Sequence, residues 1–134
     1  RLKSYVWPEA MGRMARIDAA ISLAKRMPPE IERMDAGEWV ERELAREPEE
    51  GVTRVLVHSI MWQYLPDFTQ ERIENALQAA GARATATAPL AHVSLETNRE
   101  TFAHELSVRY WPGGEQAEHL ANAHPHGAWV EWLD

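Results

Sequence analysis

Gly51–Pro66 reads GVTRVLVHSIMWQYLP, a short β-branched apolar run that starts from a glycine and stops at a polar pair. Val52, Val55, Leu56 and Val57 leave no regular polar alternation, which predicts a strand buried on both faces of a sheet. The run gives way to His58-Ser59 and then to an aromatic turn carrying Trp62 and Tyr64, closed by Pro66. In open α/β sheets, ligands gather in the crevice beyond the carboxyl ends of the strands. His58, Ser59, Trp62 and Tyr64 are therefore the first residues to consider for a small-molecule site.

Upstream of this stretch the pattern is helical. From Pro8 to Met27, Met14, Ile17, Ile21 and Ala24 recur at steps of three and four, with Met11, Ala20 and Met27 widening the stripe. Pro8 suits the first helical position, and Pro28-Pro29 end the run. Ile31–Met34 reads as a short strand. Asp35 and Glu38 then have capping-box spacing, opening a helix to about Arg46 with Trp39, Val40 and Leu44 turned inward.

Downstream, Thr69 reads as the cap of a helix from Gln70 to Ala80. Phe68 and Ile73 form its staple, and Gly81 its left-handed end. The alternation of helices and strands to this point implies a parallel sheet. The remainder changes character. Leu90–Glu96 and Phe102–Tyr110 read as strands, Trp111-Pro112-Gly113-Gly114 as a type II turn, and Glu115–Ala123 as the return strand of a hairpin. Trp129 and Trp132, in the apolar tail from Gly127 to Leu133, are expected to cover an open end of the core.

Composition narrows the function classes. The 134 residues are 45% hydrophobic and 26% charged, which fits one globular domain. A net charge of −7 argues against a nucleic-acid partner, because phosphate binding needs clustered Lys and Arg. No apolar run approaches the ~20 residues that span a bilayer, so no membrane partner is expected. The absence of cysteine rules out disulfides and thiolate metal sites, and is compatible with a reducing cytoplasm, the expected location.

The order of strands and helices, with the polar end of Val55–His58 and the helix closing at Gly81, resembles the second half of a class I S-adenosylmethionine-dependent methyltransferase. Tyr5-Val6-Trp7-Pro8, Ala19-Ala20-Ile21, Pro28-Pro29, His58-Ser59 with Tyr64-Leu65-Pro66, and His124-Pro125-His126-Gly127 with Glu131-Trp132-Leu133 are more specific. They resemble an uncharacterised bacterial domain-of-unknown-function family that is similar in fold to those methyltransferases. The resemblance implies an α/β, three-layer, Rossmann-like architecture: a methyltransferase-type sheet lacking the first two strands and ending in an antiparallel hairpin. It further implies that residues 1–134 are a single domain from the C-terminal part of a longer protein. The glycine-rich turn that holds the cofactor in methyltransferases has no counterpart, as no G-x-G occurs in the chain.

What the resemblance implies about ligands is S-adenosylmethionine or a related nucleotide, bound by Asp35, His58, Ser59, Trp62 and Tyr64. Asp35 corresponds to the acidic position that contacts adenine, although its spacing from Glu38 independently makes it a helix cap. His58 could carry a proton, and Trp62 and Tyr64 could stack on a purine, or all three could be structural. His124 and His126 fall on one side of an extended segment, but two imidazoles are too few for a zinc site unless His58, His92 or a carboxylate completes the set, and no metal is expected. The opposing reading is a non-catalytic interaction module. Without the first two strands, Val52–His58 would keep an unpaired edge. It would pair either with Ile31–Met34 or with a second copy of the chain, as a homodimer.

Overall fold

The structure, a computed structural model, describes residues 2–7 and 9–133. Pro8, expected at the first helical position, lies outside the described residues. The chain divides into two compact units, Arg1–Arg33 and Met34–Asp134.

In the first unit a 3-10 turn, Leu2–Tyr5, precedes helix α1, Met11–Arg26. Met14, Ile17 and Ile21 of the predicted stripe are half-buried, yet none of the helix is fully buried, and Val6 is the buried hydrophobic residue among the described residues of this unit. Lys3 forms an ion pair with Asp18 across the turn and the helix.

The second unit carries helices α2 (Ala36–Leu44) and α3 (Asp67–Gly81) and strands β1 (Arg54–Ser59), β2 (Leu90–Thr97), β3 (His104–Trp111), β4 (Gly114–Ala123) and β5 (Val130–Trp132). The strands form one open mixed sheet in the order β1-β2-β3-β4-β5. Only the β1–β2 pair is parallel, joined by the α3 crossover. The other pairs are antiparallel, with a tight β3–β4 hairpin in which Gly113 takes the left-handed conformation (φ +97°) that the turn demands. The strands after β2 therefore add in sequence order. The methyltransferase arrangement would instead insert the last strand inside the sheet.

Helix α2 starts as its sequence dictates. Asp35 is the N-cap, and its side chain accepts the Glu38 N–H at 3.0 Å. Its Val40 and Leu44 pack with Ile73, Leu77 and Ala80 of α3 on Leu90 and Trp111 of the sheet. Leu56 joins this cluster from β1. Register puts Leu56, Leu90 and Trp111 on one sheet face, so both helices cover that face and this unit is built in two layers rather than three.

Several expectations are corrected. Strand β1 is not buried on both faces: Val55 and Val57 point away from the helices and are 51% and 65% exposed. Residues 31–34 form no strand, Ile31 being 84% exposed, so β1 is not paired there and ends the sheet. Helix α3 begins at Asp67, after Pro66, and Thr69 is not its cap but a buried residue inside its first turns. Phe68 is 62% exposed and staples nothing.

Gly81 does not adopt a left-handed conformation. A Cβ there would lie 2.5 Å from the Trp111 indole, so the glycine serves close approach of helix to strand. Trp129 and Trp132 stay about half or more exposed on and beside β5, where they cover no core.

Candidate functional site

On the helix-facing side of the sheet, polar residues replace apolar ones towards the carboxyl ends of β1 and β2. Strand β2 alternates Ala91, Val93 and Leu95 on the open face with His92, Ser94 and Glu96 on the helix side. In register, His92 lies opposite Arg109 and Ser94 opposite Ser107 on β3, while His58 of β1 pairs with Ser94. These residues and Trp62 line an open cleft of about 260 Å³ with Glu74 of α3 at its side.

The polar groups form one connected chain. Arg109 makes a two-pronged ion pair with Glu74 at 2.9 and 3.1 Å, lies 5.3 Å over the Trp111 ring, and approaches His92 Nδ1 at 3.1 Å. His92 Nε2 is 2.8 Å from His58 Nε2, and His58 Nδ1 is 2.7 Å from Glu96 Oε1. That same carboxylate oxygen accepts the backbone N–H groups of Met61 and Trp62 at 3.1 and 3.3 Å. Glu96 thereby ties the 3-10 turn Trp62–Tyr64 to the sheet, and Trp62 stacks on His58 with ring centroids 5.2 Å apart.

Elementary donor counting fixes every proton in this chain. Arginine only donates, so His92 Nδ1 accepts and the His92 proton sits on Nε2. His58 Nε2 must then accept, which puts the His58 proton on Nδ1, pointing at Glu96. The hydrogen bonds run in one direction, from Arg109 through His92 and His58 to Glu96, with both imidazoles neutral. Burial pushes the His92 pKa down to about 4, and the neighbouring His58 and Arg109 act in the same sense. The arrangement is unsuited to a metal: ligation through His92 Nε2 would require its proton on Nδ1, where Arg109 already donates. Among the described residues, no group of three or more His, Asp or Glu side chains is placed to hold an ion.

The candidate residues of the sequence divide clearly. His58 and Trp62 are in the wall of the cleft. Ser59 alternates to the opposite side and is exposed, and Tyr64 is 76% exposed. Asp35 caps α2 and pairs with Arg72, which also binds Glu41, and it does not line the cleft. His124 Nδ1 accepts the His126 backbone N–H at 3.0 Å, and the two rings are tilted 5.6 Å apart in a turn closed by Gly127. Sequence reasoning misses Ser94, Glu96, Ser107 and Arg109 as site residues, and it offers His92 only as a completing ligand for His124 and His126 rather than as a neighbour of His58. Their signal is the polar half of an alternation whose apolar half marks the strands.

Ile60, between Ser59 and this turn, holds φ +49°, a left-handed value that a β-branched side chain rarely adopts. Its N–H donates to Leu95 O at 2.8 Å, which pins the exit of β1 to β2. Such conformations cluster where a site must be held in place.

The cleft lies at the carboxyl ends of the two parallel strands, β1 and β2. The chain belongs to the family described as uncharacterised proteins conserved in bacteria (DUF2332), whose family model matches residues 1–132. No curated protein and no solved structure matches it. No helix among the described residues is long and apolar enough to cross a membrane.

Proposed function

We propose that this chain binds a small molecule in the cleft beside Trp62 and Glu96, and that His58 and His92 hold the wall of the site in shape. The observation carrying this reading is the one-directional chain from Arg109 to Glu96. It leaves His58 and His92 satisfied by each other, and it fixes a carboxylate and an indole at the strand ends before any ligand arrives. His58 has both ring nitrogens engaged, so its part is to position Glu96 and Trp62 rather than to touch the ligand.

The resemblance to methyltransferases makes S-adenosylmethionine or a related nucleotide the ligand to try first. Its net positive charge suits a cleft whose one unpaired formal charge, among the described residues, is a carboxylate. Calorimetric titration of S-adenosylhomocysteine and S-adenosylmethionine into the chain tests this. Micromolar binding that Trp62→Ala weakens supports the reading, and heat signals indistinguishable from dilution for both compounds refute that ligand class.

A second reading, a homodimer through the sheet edge, has its own observation. Strand β1 ends the sheet, and beside it runs a groove of about 270 Å³ that joins apolar Trp39, Leu44, Val55 and Leu56 to the charged Glu43, Arg46 and Arg54. An open strand edge next to apolar surface is a template for pairing with a second copy. Sedimentation of the chain and of Val55→Lys decides: a dimer that the substitution dissociates supports it, and a monomer at all concentrations removes it.

A further inference from the structure

The hydrogen-bonding groups left over in the cleft say more about the ligand than the wall does, and this inference rests on the small-molecule reading above. Arg109 has its charge matched by Glu74 in a two-pronged ion pair. All three hydrogen bonds to Glu96 go to Oε1, and Oε2 has no partner among the described residues. Ser94 and Ser107 stand side by side across the β2–β3 ladder, both lining the cleft. Neither hydroxyl has a partner among the described residues.

Directly opposed residues place their Cβ atoms roughly 5 Å apart. Two hydroxyls at that spacing can each reach one oxygen of a ligand that presents two adjacent oxygens. A hydroxyl both donates and accepts, whereas a carboxylate oxygen only accepts. The unused set is therefore two donor-acceptors and one charged acceptor, beside the N–H donors left on the Trp62 indole and on Arg109, and it calls for a ligand whose groups both donate and accept. Formal charge points the same way. Glu74 and Arg109 cancel, both histidines are neutral, and Glu96 leaves the cleft at minus one, which repels phosphates and carboxylates.

We infer that the cleft recognises a vicinal diol on a neutral or cationic molecule, as on a ribose or another sugar ring. Ser94 and Ser107 hold the two oxygens, and Glu96 Oε2 accepts a hydroxyl proton. Anionic ligands of the same size are excluded.

Titration of three probes into the unaltered chain tests this: adenosine, its 2′,3′-dideoxy analogue, and adenosine monophosphate, with Trp62→Phe as the control that binding occurs in this cleft. Adenosine is expected to bind. The dideoxy compound should bind at least about tenfold more weakly, as loss of one or two good hydrogen bonds implies, and the monophosphate should also be weaker. In Ser94→Ala and Ser107→Ala the gap between adenosine and its dideoxy analogue should shrink.

Equal binding of adenosine and the dideoxy compound, with both sensitive to Trp62→Phe, would overturn the diol inference and leave the small-molecule reading standing. Tighter binding of the monophosphate would overturn the charge argument. If none of the three binds, the inference falls together with its premise for nucleosides. Should a serine variant fail to fold, the comparison of probes on the unaltered chain still separates these outcomes.

Discussion

Acidification should destabilise this protein through His92, and the size of the effect follows from its surroundings. His92 is 7% exposed, with its Nδ1 against the Arg109 guanidinium and its Nε2 against a second imidazole. Its pKa is lowered from 6.5 to about 4 by burial first, then by His58 and Arg109. Between those two values the unfolded chain binds a proton that the folded chain refuses. The contribution is therefore intact above the unfolded pKa and is lost as pH falls towards the folded one. The full shift corresponds to a ceiling of about 3 kcal/mol, and water reaching the open side of the cleft brings the expectation to about 1–2 kcal/mol.

The assay is urea denaturation at several pH values between about 7.5 and 4.5 for the unaltered chain and for His92→Gln, which keeps an acceptor and a donor but does not titrate. The stability difference between the two should be constant above about pH 7, and should then move against the unaltered chain by about 1–2 kcal/mol. A difference that stays flat throughout, or one that favours the unaltered chain in acid, would refute the assignment of a neutral buried His92.

Other substitutions probe other joints. Glu96→Ala removes the acceptor for His58 and for two backbone N–H groups, and should cost about 2–3 kcal/mol in denaturant unfolding while raising hydrogen exchange at Met61 and Trp62. Gly81→Ala drives a methyl group into the Trp111 ring and should cost about 1–3 kcal/mol, with a changed near-ultraviolet dichroism as the local sign. Asp35→Ala removes the cap of α2 and one partner of Arg72, for an expected loss of about 1 kcal/mol in thermal or urea melts, and ligand binding in the cleft should not change.

The sequence makes the elements more legible than their arrangement. The positions of α2, α3, β2 and the β3–β4 hairpin follow from Asp35, from the Ile73–Leu77 spacing and from the alternation around Val93, Val108 and Gly113, because those signals are local. What the sequence misleads on depends on neighbours far along the chain. The Val55–Val57 run looks like a doubly buried strand, but burial on the second face requires a second layer, and run length alone carries no information about that. Gly81 looks like a helix end because its actual constraint, the Trp111 ring, lies 30 positions downstream.

The site is half legible. His58 and Trp62 stand out against an apolar run, whereas His92, Glu96 and Arg109 sit in strands where an alternating polar residue ordinarily means a solvated face. Helix α3, through Glu74, and the turn carrying Trp62 close over that face and turn them into a cleft.

The aligned hydrogen bonds between Arg109 and Glu96 have an arrow, and an arrow can be reversed. A guanidinium stands at one end and a carboxylate at the other, so the two imidazoles have a single ground-state labelling of their nitrogens: protons on Nε2 of His92 and on Nδ1 of His58. An acid at position 109 and a base at position 96 would ask for the opposite labelling with the same two rings in the same places. The geometry of the pair is thus written by the strands and its polarity by the end groups. Two separate sets of residues govern where the rings lie and which way they point their protons.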